Sequence, residues 1–128
     1  ESLDEIPEGA PEMYREGYEY YRTERAAHPN STNKYTFTSL DKLAAFTAFG
    51  NLDLLAPRPL LMIAGSRADS LYFSKDAVEM AKGPKELFIV EGASHIDMYD
   101  KPQYVDKAVG KLADFFGKYL SAERRDLK

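Results

Sequence analysis

The chain has 128 residues, no cysteine, 44% hydrophobic residues, 30% charged residues and a formal charge of −4. That length and hydrophobic content fit one ordinary folded domain with a real core, and exclude an intrinsically disordered chain. The lack of cysteine excludes disulfides, cysteine-ligated zinc and thiol catalysis by this chain.

Charge is unevenly placed. Residues 1–30 hold 8 acids and 3 bases, whereas residues 31–120 hold 11 of each. The acidic balance therefore belongs to the N-terminal segment, and no basic stripe points to nucleic acid as a partner. No apolar run approaches the ~18 residues of a membrane span, and no charged-then-apolar leader opens the sequence. The expectation is a cytoplasmic protein with no membrane partner.

In chain order, Ala10–Ala27 predicts a first helix. Pro11 suits an early helical position, Met13, Tyr14, Gly17, Tyr18 and Tyr21 make a stripe at helical spacing, and Pro29 ends the helix. Asn30-Ser31-Thr32-Asn33 follows as a loop, and its match to the N-glycosylation pattern reads as chance. Ser39–Phe49 predicts a shorter helix capped by Thr38 or Ser39, with Gly50 at its end. Leu52–Pro59 is a leucine- and proline-rich connector that cannot continue a helix.

The second half is more regular. Leu60–Ala64 and Glu86–Val90 are continuous apolar-rich runs, the mark of strands buried on both faces. Ser74–Lys82 between them predicts an amphipathic helix, stopped by Gly83-Pro84. After a loop over Gly92–Lys101, Pro102–Leu120 predicts a long helix with Val105, Ala108, Val109, Leu112, Phe115, Phe116 and Tyr119 on one face. The sum is a βαβα unit with parallel strands and a right-handed crossover. Two central-type strands cannot cover their faces or pair their edges alone. The expectation is a chain that completes a sheet built by another polypeptide, and a first residue Glu1 in place of Met fits a piece of something longer.

In open α/β sheets, functional residues gather on loops at the carboxyl ends of strands. Here those loops are Gly65–Ser70, carrying Asp69, and Gly92–Asp97, carrying His95. Parallel neighbours lie only ~4.8 Å apart, so an acid on one loop can meet a histidine on the next. A carboxylate so placed fixes the imidazole tautomer, and the histidine then serves a nucleophile as general base.

Pro59-Leu60-Leu61-Met62-Ile63-Ala64-Gly65-Ser66, then Asp69, then Gly92-Ala93-Ser94-His95 and a long closing helix resemble the C-terminal part of an α/β-hydrolase. The similarity is greatest to the dienelactone-hydrolase-like and peptidase-like branch. Arg25–Ser31 and the connector to Pro59 resemble the region that precedes the penultimate strand there. The resemblance implies a triad in the order nucleophile, acid, histidine, with Asp69 at the acid position and His95 at the histidine position. The implied nucleophile elbow, G-x-S-x-G, is missing; Gly92-Ala93-Ser94-His95-Ile96 fails at its last position. The chain then carries two-thirds of a triad and should not hydrolyse acyl substrates alone.

Other residues have blander readings. Asp69 can equally form a turn. Asp97 and Asp100 are runner-up acids, better suited to capping the final helix. Ser94 sits too close to His95 in sequence for proton transfer and reads as structural. His95, Asp97 and Asp100 make a poor metal set without a second histidine nearby, and no cofactor is implied. Tyr14, Tyr18, Tyr20, Tyr21 and Tyr35 read as core packing rather than a substrate pocket. His28 either fixes the turn at Pro29 or faces a pocket.

The expected fold class is therefore α/β, the C-terminal βαβα portion of an α/β-hydrolase, incomplete as a stand-alone sheet. Residues 1–58 form a helical segment and connector, 59–121 the βαβα unit, and 122–128 a charged tail. The expected function is to supply acid and histidine to a serine-type site for an ester, lactone or peptide-like acyl substrate. The partner is then the N-terminal half of the hydrolase. The alternative is a non-catalytic truncated module that pairs with a second copy of itself through exposed sheet edges.

Overall fold

The computed structural model describes residues 2–32 and 34–120, and the charged tail expected at 122–128 lies outside them. Two compact units divide the chain, Glu1–Gly50 and Asn51–Lys128, so the connector belongs with the strands that follow it.

In the first unit a 3-10 turn, Leu3–Glu5, is closed by the Ser2 N–H donating to Glu5 Oε2 at 3.0 Å. Helix α1 spans Glu12–Arg22, with Pro11 just outside it at ψ 143°. It stops five residues before the expected end at Ala27. Thr23 turns extended there, its hydroxyl donates to the Glu19 carbonyl, and its oxygen accepts the Arg25 N–H at 3.3 Å. Such local side-chain bonds offer the backbone an alternative to helix. The second helix is also shorter than expected. A 3-10 turn, Phe37–Ser39, leads into α2, Leu40–Ala45, and Phe46 is already extended. Ser39 Oγ donates to the Thr36 carbonyl at 2.6 Å instead of capping, and Thr47 Oγ1 accepts the Phe49 N–H at 3.2 Å. No described residue of this unit is fully buried. The tyrosine stripe accordingly does not pack into a core: Tyr14, Tyr18 and Tyr21 line an open groove of about 460 Å³.

The second unit is α/β. Strand β1, Leu60–Gly65, and strand β2, Lys85–Val90, pair in parallel from Leu60↔Lys85 to Gly65↔Val90. Among the described residues they make a two-stranded sheet. Helix α3, Leu71–Met80, forms the crossover and begins three residues before the expected Ser74. Its buried Ser74 and Ala77 are small, which lets it lie close against both strands. Lys85 ends it by donating to the Glu79 and Ala81 carbonyls at 3.1 and 3.0 Å, satisfying acceptors that a helix end leaves orphaned. A short helix, α4 (Asp97–Asp100), occupies the expected loop after β2, and α5 runs over Pro102–Leu120 as its periodicity predicts.

The strands are less buried than their composition suggests. Leu60–Ala64 and Leu87–Ile89 are half-buried, because two strands flanked by α3 and α5 leave part of each apolar surface uncovered. Full burial concentrates instead at the carboxyl end of the sheet: Gly65, Ala68, Val90, Ala93, Ser94, Ile96 and Asp97. No described helix is long and apolar enough to cross a membrane.

Candidate functional site

Where full burial concentrates among the described residues, β1 and β2 end side by side, and backbone contacts stitch their two loops together. The Ser66 N–H donates to the Val90 carbonyl at 3.0 Å, and the Arg67 N–H to the Ala93 carbonyl at 2.9 Å. Ser66 Oγ accepts the Gly92 N–H at 2.8 Å and donates to Glu91 Oε1 at 3.1 Å. Gly92 has φ +79°, a conformation that favours glycine.

His95 follows directly. Ser94, 2% exposed, and Asp97, 4% exposed, brace the turn that carries it. Each backbone N–H of this pair donates to the other's side chain at 3.1 Å, so two buried donors are satisfied reciprocally. Asp97 also pairs with Lys101. Burial raises its carboxyl, yet the Lys101 hydrogen bond, the Ser94 N–H, the Lys101 charge and the Ser94 hydroxyl together hold it below the ordinary carboxylate range. Asp97 thus closes the His95 turn rather than capping α5, in whose first turn the Tyr104 and Val105 N–H groups donate to the Lys101 carbonyl at 3.0 Å. Asp100 is the exposed last residue of α4. Ser94 has the structural role its position suggested.

The His95 ring is half-buried, and both its nitrogens are engaged by hydroxyls. Nδ1 lies 2.5 Å from Ser70 Oγ, and Nε2 lies 2.8 Å from the Tyr99 hydroxyl. Tyr99 also meets the ring edge-on, with centroids 5.4 Å apart. His95, Ser70 and Tyr99 border a cavity of about 250 Å³, whose other walls are Ile63, Ala64, Gly65, Ala68, Ser74 and Met98. Apolar walls with a few convergent polar groups are the usual character of a small-molecule site.

Asp69 sits on the same turn, one residue before Ser70, and is exposed. The structure brings the Asp69 and His95 loops together, but the group on His95 Nδ1 is the Ser70 hydroxyl, not the Asp69 carboxylate. Sequence reasoning missed both ring partners. Tyr99 had a readable signal: it lies four residues after His95, the spacing that stacks side chains along one side of a helical turn. Ser70 had only its place in the strand-end loop.

Among the described residues no group of three or more histidine, cysteine, aspartate or glutamate side chains is placed to hold a metal ion. His28, in the first unit, fixes its own turn: its Nδ1 accepts the Asn30 N–H at 3.2 Å and its carbonyl the Ser31 N–H at 2.9 Å.

Comparison with known proteins finds no matching family model. The sequence is 37% identical over 120 residues to PA2218, an uncharacterised protein of Pseudomonas aeruginosa, covering 91% of this chain and 32% of that one. Its identity to YcjY, an uncharacterised protein of Escherichia coli K12, is 36% over 110 residues, or 85% of this chain and 36% of that one. The crystal structure of PA2218 superposes with a TM-score of 0.78 over 90% of this chain and 36% of that one. The chain is a homologue of PA2218 and YcjY. It spans about a third of the length of these relatives. A more distant similarity, 28% identity over 91 residues, 69% of this chain and 29% of that one, is to the acyltransferase drtE of Aspergillus calidoustus.

Proposed function

We propose that this chain is the C-terminal segment of a serine-type α/β-hydrolase and supplies the histidine of its acyl-transfer site. The observation that carries the reading is the position of His95. It stands just beyond the carboxyl end of β2, on a turn braced by Ser94 and Asp97, with its ring at the wall of a 250 Å³ cavity. Strand-end loops of this kind are where open α/β sheets keep their working groups. A relative named as an acyltransferase fits the same reading, because acyl transfer and acyl hydrolysis share one covalent step and differ in the acceptor.

In this reading a serine elsewhere in the polypeptide attacks a carbonyl carbon of an ester, lactone or peptide-like amide. Its hydroxyl proton passes to His95 Nε2 as the new C–O bond forms. The bond to the leaving group then breaks and His95 returns the proton to that group. Water, or another acceptor, repeats the sequence on the acyl-enzyme. The turn holding Asp69 and Ser70 supplies the group that orients His95 from the Nδ1 side, Asp69 being the acid that the resemblance implies. The partner is the remainder of the hydrolase, which provides the nucleophile, the oxyanion donors and most of the substrate pocket.

The test is ester turnover by the full-length polypeptide carrying these residues, with and without His95→Ala. Loss of at least about 100-fold in kcat is expected for a general base. Near-normal turnover contradicts the reading. A polypeptide that turns over no acyl substrate and instead dimerises through β1 or β2 supports the alternative of a non-catalytic module.

A further inference from the structure

We infer that Ser70 is the residue that positions His95, its hydroxyl holding Nδ1 where the resemblance implies a carboxylate. The inference rests on the hydrolase reading for its catalytic meaning, but its structural content stands on separate observations.

Ser70 occupies the N-cap position of α3, where a serine hydroxyl ordinarily accepts a hydrogen bond from an N–H of the first helical turn. Here it makes no such bond. Its Oγ lies 2.5 Å from His95 Nδ1 instead. A side chain that forgoes a local partner for one twenty-five residues away is held there by the packing of two loops. That packing is backbone-defined. The Ala68 N–H donates to the Gly65 carbonyl at 3.2 Å and the Leu71 N–H to the Ala68 carbonyl at 3.0 Å, which sets the turn bearing Ser70. The Arg67 N–H on the Ala93 carbonyl locks that turn to the loop of His95. Asp69 is exposed beside it, and both ring nitrogens are bonded to hydroxyls.

The chemistry follows from the tautomer. For His95 to accept a proton at Nε2, its own proton must reside on Nδ1, donated to Ser70 Oγ, with the Tyr99 O–H donating to Nε2. A hydroxyl fixes ring orientation and tautomer as a carboxylate does, but brings no negative charge to the imidazolium. Ser70 is thus a positioning residue: it acts through His95 and touches no reacting atom.

The experiment is nitrogen-proton correlation NMR of the imidazole of His95 in the full-length polypeptide, assigned with His95→Gln. The expected wild-type signal is the Nδ1–H tautomer. Ser70→Ala should shift the population towards Nε2–H and lower kcat at least about tenfold with KM little changed. Ser70→Thr, which retains the hydroxyl, should restore both, and Asp69→Asn should leave the tautomer unchanged. A wild-type ring protonated mainly at Nε2 overturns the inference without any variant, as does a tautomer that responds to Asp69→Asn and not to Ser70→Ala. The spectroscopic readout separates the two claims: a tautomer set by Ser70 with full turnover in His95→Ala would leave the positioning intact and remove the hydrolase reading.

Discussion

Gly65 lies against the Ala93 carbonyl so closely that a Cβ built on Gly65 would stand 2.2 Å from the oxygen and 2.7 Å from its carbon. The last residue of β1 therefore has to be glycine for the loop after β2 to close over it. Gly65→Ala should force the loops apart and cost at least about 2 kcal/mol, since overpacking against backbone has no flexible side chain to absorb it. Gly110→Ala in α5, where a Cβ meets nothing within 4 Å, should instead stabilise by up to about 1 kcal/mol. Chemical denaturation of both variants checks the contrast.

The Ser94–Asp97 brace predicts a pH dependence. Asp97 has a folded-state pKa below its ordinary value. Its contribution is therefore fully present above the unfolded carboxylate pKa of about 3.9, and is lost as pH falls through the lower folded value. Asp97→Asn should cost about 1–2 kcal/mol near neutrality, and the gap from wild type should close only below about pH 4. Denaturation midpoints measured from about pH 7 down to about pH 3 test this; a gap that widens with acid would contradict the assignment.

Tyr99 occupies His95 Nε2 at 2.8 Å, the atom that must receive a nucleophile's proton. The residue is 43% exposed, so moving its hydroxyl aside requires no core rearrangement. Tyr99→Phe should change kcat by less than about threefold, because the lost bond is made only before the nucleophile engages. A loss as deep as that of His95→Ala would make Tyr99 an acid–base group in its own right. Steady-state kinetics of the two variants side by side decide between them.

The Lys111–Glu86 pair ties α5 to β2, with the ammonium also 5.7 Å from the Phe88 ring centroid. Glu86 is substantially exposed, so Glu86→Gln should cost less than about 1 kcal/mol, and less again at about 1 M salt. Phe88→Ala, which removes apolar surface and the cation's partner together, should cost several times more.

Legibility in the sequence followed the strength of the local pattern. Pro102–Leu120 reads without error because five turns of apolar periodicity outweigh any single residue. Both strands read to within a residue, since continuous apolar runs of that length bounded by Gly and Pro have few alternatives. The first helix ends early because Thr23 redirects the backbone through its hydroxyl, an effect invisible to periodicity. Half-burial of Leu60–Ala64 was legible only from the count of strands, since two cannot cover their own faces, and not from composition, which reports what a strand tolerates. At the site, strand-end position and family resemblance marked His95 and Asp69 alike. Only the fold could show that the neighbouring Ser70 reaches the ring, since the choice between them depends on the rotation of one turn.

The central claim is that His95 activates a serine lying outside these 128 residues. Treating the full-length polypeptide with a fluorophosphonate and locating the labelled residue by mass spectrometry tests it most directly. Labelling is expected on one serine outside this segment, at a rate at least about 100-fold lower in His95→Ala. Labelling that proceeds equally in His95→Ala, or that falls on Ser70 or Ser94, would contradict it.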